Sequence, residues 1–257
     1  MTALYVDERG DRGAPAILFL HGGGISSRQW QPQLETLTEF HHLAPDLPEQ
    51  GRSADVAPFT MDHTLKLLMD LISERVPGGR VHLVGLSLGG ALALTLLARS
   101  PEVVASAMVS GCAVQVGPLL ARATLASSGL YALFPTTWLA EQSLKQFGVP
   151  ATYHKLIFDD LVRTATPAFT RRTVDILVEA RAPARAERLL VAVGERETAA
   201  AKSAARGFVR QISGARGVLV PDGRHVWNLQ FPALFTATVR AWVTGAPLPE
   251  ELKPLAE

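Results

Sequence analysis

The sequence predicts an α/β domain: a mostly parallel central sheet with helices on both faces and an inserted helical cap. Three observations predict it. Short continuous apolar runs, of which Ala16–Leu20 is the first, alternate with stretches of helical period, as buried parallel strands joined by crossover helices do. The chain of 257 residues is long enough for one large domain with its own core. From about Val114 to Pro183 the alternation gives way to helical segments broken by prolines, and roughly 70 residues are too many for a structureless loop. The expected organisation is a core of residues 1–112 and 184–257 with a cap of residues 113–183.

Taken in order, Ala16–Leu20 is a strand buried on both faces, stopped by the glycines Gly22–Gly24. Trp30, Leu34, Leu37 and Phe40 recur at helical spacing and predict an amphipathic helix over Trp30–Phe40. His42–Pro45 is a short strand, followed by the turn-rich Asp46–Ser53. Leu65, Leu68, Met69 and Ile72 share one face of a helix over Met61–Val76, ended by Pro77, Gly78 and Gly79. Val81–Val84 is a strand that runs into Gly85–Gly90 and an Ala/Leu-rich helix to about Ser100. Val103–Val109, Leu189–Val193 and Gly217–Val220 are further strands. Helices are expected over Thr198–Ile212 and Pro232–Thr244, and a loosely ordered tail from Gly245. There is no internal repeat.

Lysine and arginine number 25 against 24 aspartates and glutamates, a net charge of +1. That balance gives no electrostatic case for nucleic acid or for an anionic membrane. The lone cysteine, Cys112, makes neither an internal disulfide nor a zinc cluster, and no metal site is expected. Met1–Gly10 lacks the apolar core of a signal peptide, and no run approaches the roughly 20 apolar residues that span a bilayer. A soluble, cytoplasmic protein is the expectation, with a homodimer left open.

The chemistry centres on Gly85-Leu86-Ser87-Leu88-Gly89. A Gly-x-Ser-x-Gly pattern between a strand and a helix suits a sharp turn with the serine at its apex. The helix behind it offers free backbone N–H groups and a positive dipole end. The five-residue pattern is weak alone; the strand before it and the helix after it give it meaning. The N–H of Leu88, just after the serine, is placed to hold a negative oxygen. His21–Gly24 ends an earlier strand, and its glycines let backbone donors approach the same oxygen; His21 itself reads as structural. A serine hydroxyl needs a base. Of seven histidines, His225 lies between the last strand and the last helix, on the same sheet edge as Ser87. His41, His42 and His82 read as structural, and His63 and His154 as pocket residues.

These landmarks, His21–Gly24, Asp46–Ser53, Gly85–Gly90 and Gly223–Val226, occur in the order found in the α/β-hydrolase superfamily. The chain resembles its cap-bearing esterase and carbon–carbon hydrolase branch from about Ala16 to Trp242. The resemblance implies a triad ordered serine, acid, histidine. The acid then falls in the turn Gly194-Glu195-Arg196-Glu197, where the family usually has Gly-x-x-Asp. Glu197 takes that position, one methylene longer than aspartate; Glu195 is its rival, and Asp222 lies too near His225 in sequence. The resemblance also implies Gly23 as the other oxyanion donor. Aromatic residues of the cap and loops suggest an apolar substrate site, with Gly24, Trp30, Phe134, Trp138 and Trp227 as candidate lining. The expected function is cleavage of a small, largely apolar carboxylic ester through an acyl-enzyme, with no cofactor. Two alternatives remain: a carbon–carbon hydrolase of diketone-like substrates using the same triad, and a slow-turnover ligand receptor or signalling protein. Perhydrolysis is a side activity of such sites.

Overall fold

The structure, a computed structural model, describes residues 3–255. Its strands are β1 (Val6–Arg9), β2 (Ala16–Leu20), β3 (His41–Pro45), β4 (Val81–Leu86), β5 (Val104–Ser110), β6 (Arg185–Gly194), β7 (Ser213–Val220) and β8 (Lys253–Pro254). They form one sheet in the order β1-β3-β2-β4-β5-β6-β7-β8. The strands from β3 to β7 run parallel. The edges β1 and β8 pair antiparallel to β3 and β7.

The central parallel strands are mostly apolar on both sides because both faces are covered. Leu18, Leu20, Leu83, Val109 and Val191 point to one face, under helices α2 (Met61–Arg75), α3 (Leu88–Arg99) and α8 (Ala199–Gln211). Ile17, Phe19, Val84, Met108 and Leu190 point to the other, packed with α1 (Gln31–Thr36) and α10 (Pro232–Thr244). Buried residues run through α3 from Leu88 to Leu97, which is why its sequence is apolar all round. Between β5 and β6 the chain forms α4 (Pro118–Ser128), α5 (Thr136–Phe147), α6 (His154–Thr164) and α7 (Pro167–Glu179). Prolines open α4 and α7 at their first turn, where a missing N–H costs nothing. A four-residue helix, α9 (Trp227–Gln230), precedes α10.

Three expectations need correction. The helix expected over Trp30–Phe40 is a 3-10 turn at Ser27–Trp30 followed by the short α1. It stops at Thr36; the Phe40 N–H then bonds to the Leu37 carbonyl as the chain turns into β3. The tail is not loose as far as Leu255: β8 pairs with β7, and Leu252 and Leu255 are buried; its last two residues lie outside the described residues. β1 was not expected. It is a polar edge strand whose Glu8 accepts from His41, Arg75 and Arg12 at 2.8–2.9 Å. Burial pushes the Glu8 carboxyl up, but these donors outweigh it and hold it at about 2.

Candidate active site

Ser87 sits at the turn from β4 to α3 with φ 55° and ψ −117°. A non-glycine residue held there costs about 1–3 kcal/mol and persists only when its surroundings enforce it. Here they do. The Ser87 N–H donates to the Ser110 carbonyl at 2.8 Å, and its carbonyl accepts from the Ala91 N–H at 3.1 Å. Gly89 packs so tightly on β2 that a Cβ would lie 2.0 Å from the Leu20 carbonyl oxygen. The N–H of Leu88, the first residue of α3, has no acceptor within the helix.

The glycine loop after β2 is held by side-chain amides. The Gly22 N–H donates to Gln29 Oε1 at 2.9 Å and the Gly24 N–H to Gln50 Oε1 at 2.8 Å. The Gly23 N–H between them has no protein acceptor among the described residues, and Gly23 lines one chamber with Ser87 and Leu88. His21 is fully buried below the loop. It accepts the Leu47 N–H at Nε2 and donates from Nδ1 to the Gly22 carbonyl. Burial pushes its pKa down, so it stays neutral and structural.

On the far side of Ser87, His225 Nδ1 lies 2.9 Å from Glu197 Oε2. The Glu197 side chain is only 4% exposed, and its other oxygen accepts the Gly194 N–H at 3.3 Å. Carboxylate and imidazole pass over Gly111, the residue after β5, which has φ +57°. A Cβ at Gly111 would lie 2.9 Å from His225 Nδ1 and 3.2 Å from Glu197 Oε1. The structure therefore brings Glu197 to His225. Glu195 faces outward, accepting the Asp222 N–H at 3.0 Å, and Asp222 pairs with Arg196 at the surface. Ser87 and His225 both line a small chamber beneath α5 and α6, and the Phe147 ring lies 5.2 Å from the His225 ring.

Buried amides that the sequence analysis did not single out join the two halves of the site. Asn228, three residues past His225, donates to the Gln29 carbonyl at 3.0 Å, and its own carbonyl accepts from Gln33 Nε2 at 2.9 Å. Gln29 thus links the glycine loop to the His225 loop. Ser110 serves likewise: its Oγ accepts from Trp227 Nε1 at 2.8 Å while its carbonyl holds Ser87. The insertion is anchored at the same loop. Asp160 of α6 accepts from Ser26 Oγ at 2.5 Å, and Thr164 Oγ1 donates to the Gly24 carbonyl at 2.9 Å.

A larger chamber of about 410 Å³ opens between Ser87 and the insertion. Of the five expected lining residues, Gly24 is there. Trp30 and Trp227 are not; both are fully buried, their rings tilted against Phe235 in the core. Phe134 and Trp138 stack on each other at 4.7 Å on the outer surface. Trp30 and Trp227 thus belong to the core and Phe134 and Trp138 to the surface, while the cap aromatics Tyr131, Phe147 and Phe169 do line the chamber, beside Gln142, Gln146, Leu161 and Thr170. His63 and His154 donate to the carbonyls of Pro58 and Val149 and line neither chamber. Among the described residues no cluster of His, Cys, Asp and Glu could hold a metal, and no helix is long and apolar enough to cross a membrane.

A parallel sheet with a positive-φ serine between a central strand and its helix, and an imidazole–carboxylate pair at the same edge, defines the class of the α/β-hydrolase fold. The chain belongs to the alpha/beta hydrolase family, whose model matches residues 17–238. It is 29% identical over 247 residues to an AB hydrolase superfamily protein of Gibberella zeae, covering 93% of this chain and 83% of that one. It is 32% identical over 103 residues to the pimeloyl-[acyl-carrier protein] methyl ester esterase of Nitrosomonas europaea, covering 40% of this chain and 38% of that one. The fold matches the enol-lactonase of Burkholderia xenovorans with a TM-score of 0.76 at 24% identity, covering 94% and 96% of the two chains.

Proposed function

We propose that this hydrolase cleaves carboxylic esters through an acyl-enzyme on Ser87. The observation that carries the reading is the 2.9 Å bond from His225 to a nearly buried Glu197, beside a serine on a strained elbow. The bond puts the imidazole proton on Nδ1 and leaves the Nε2 lone pair to take the Ser87 proton. Ser87 Oγ attacks the acyl carbon, and the carbonyl oxygen becomes an oxyanion. The N–H groups of Gly23 and Leu88, without a protein acceptor among the described residues, hold it. Collapse expels the alkoxide, which takes the proton back from Nε2. Water repeats the sequence on the acyl-enzyme and releases the acid. Cys112 is no rival nucleophile, since burial pushes its thiol up to about 12. The methyl ester esterase of Nitrosomonas europaea supports the ester reading, and the lactonase is in keeping with it, a lactone being an internal ester.

Labelling with a fluorophosphonate tests this. The probe should modify Ser87, fail on Ser87→Ala and react far more slowly with His225→Ala. Labelling at another residue, or none on the wild type, would sink the mechanism. A panel of vinylogous diketones run beside the esters separates carbon–carbon cleavage from ester cleavage.

A further inference from the structure

Two chambers meet at Ser87, and only one of them touches the base. The smaller, of about 30 Å³, is lined by His225 and by apolar residues that include Ile25, Val149, Ile157 and Val226. The larger, of about 410 Å³, is lined, among the described residues, by no charged side chain and not by His225; its polar lining is amide and hydroxyl, as at Gln142, Gln146, Thr170 and Tyr131. Gly23, Ser87, Phe147 and Leu161 border both. Phe147, resting on His225, stands at the divide.

The chemistry assigns the chambers, given the ester reading above. In the tetrahedral intermediate one oxygen lies at the N–H donors, and the leaving oxygen must reach the imidazole that protonates it. The alkoxy group therefore lies in the chamber lined by His225, and the acyl chain takes the other. A water needs about 10–15 Å³ of such space, so the His225 chamber holds a group of one or two heavy atoms beyond the leaving oxygen. The same space receives the hydrolytic water once the alcohol has left. The acyl chamber falls within the range of about 300–1,000 Å³ typical of sites for drug-sized ligands. It offers no cation to pair with a carboxylate.

We propose that the substrate is a methyl or ethyl ester of a bulky, uncharged acyl group, with Phe147 and Ile157 limiting the alcohol. Two matched ester series test it. With octanoate as the acyl group, kcat/KM should fall about tenfold or more from the methyl to the butyl ester, the discrimination a tight apolar pocket achieves. With methanol as the alcohol, it should rise from acetate to octanoate, and the monomethyl ester of suberic acid should be much poorer than methyl octanoate. Phe147→Ala should shrink the methyl-to-butyl ratio. Because Phe147 also touches His225, Ile157→Ala is the second variant; it borders the His225 chamber alone and should shrink the ratio too. A preference for acetates of large alcohols, or a ratio unchanged in both variants, would overturn the chamber assignment. Absence of Ser87 labelling together with no turnover of any ester would instead overturn the ester reading itself.

Discussion

The two walls of the site are built differently. The sheet wall is held by specific hydrogen bonds: Ser87 by the Ser110 carbonyl, the glycine loop by the Gln29 and Gln50 amides, His225 by the Glu197 carboxylate over Gly111. The helical wall from β5 to β6 offers mainly side chains to the cavity, and its outer face leaves large apolar groups in solvent, Leu119 at 83% and Leu133 at 73%. The difference follows from what each wall must do. Displacing a reacting group by about 1 Å can cost on the order of 10²-fold in rate, whereas a lining side chain shifts selectivity by the worth of a few methylenes. Substitutions in the sheet wall should therefore strike kcat, and substitutions in the helical wall, away from Phe147 and the loop anchors Asp160 and Thr164, should alter selectivity or nothing.

Glu197→Gln should strike hardest. The Gly194 N–H points at Oε1 and requires an acceptor there. The amide would then turn its NH₂ toward His225 Nδ1 and force the tautomer with Nε2 protonated, which cannot accept the serine proton. We expect a loss in kcat on the order of 10³–10⁴-fold, with KM little changed. Glu195→Gln, whose side chain accepts from the Asp222 N–H and pairs with Lys253, should stay near wild type. Equal, mild losses in both would show that the carboxylate at His225 is not used.

Gly111→Ala comes next. Its methyl would sit 2.9 Å from His225 Nδ1 and 3.2 Å from Glu197 Oε1, at a backbone angle that disfavours alanine. We expect about a 10²-fold fall in kcat from the displaced imidazole, with the fold retained by circular dichroism. A variant with wild-type kcat would mean that His225 tolerates more movement than the sheet-wall account permits.

Acid lability should also belong to the sheet. His42 of β3 is fully buried, neither ring nitrogen has a hydrogen-bond partner among the described residues, and burial pushes its pKa down from 6.5 to about 4. A base depressed in the folded state contributes full stability above pH 6.5 and loses it as pH falls toward 4, here by up to about 3 kcal/mol. His42→Leu should flatten the fall of Tm across that window. An equally steep fall in the variant would move the acid-sensitive group elsewhere; His82 of β4, also lowered to about 4 by burial and by Arg188 and Arg80, is the next to replace.

How much was legible follows the same division. The turn at Ser87 could be read because strand, glycines and helix are consecutive in the chain, and His225 because it sits at one strand's end. β1 could not be read, since Val6–Arg9 has one apolar residue and gains its place only by pairing with β3. Gln29, Gln50 and Asn228 could not be read either: a side-chain amide carries no local signature, and its partner is a backbone group 7, 26 or 199 residues away. The cavity was least legible, because aromatic content does not say whether a ring faces core, cavity or solvent.

Phe134 and Trp138 give the smallest and sharpest test of that last point. The sequence suggested them as pocket residues; the structure stacks them at 4.7 Å with more than 40% of each exposed, outside both chambers. A stacked aromatic pair is worth about 0.5–1.5 kcal/mol beyond its buried area, and these rings bury little. The double substitution Phe134→Ser and Trp138→Ser should change stability by no more than about 1 kcal/mol and leave kcat/KM on soluble esters within about twofold, as surface changes away from a site do. If the pair instead altered the ranking of acyl chains while kcat on methyl acetate held, the rings would fold over the acyl chamber in solution. The helical wall would then extend further around the substrate than its present lining, and the contrast between a rigid chemical wall and an adaptable selective one would be stronger.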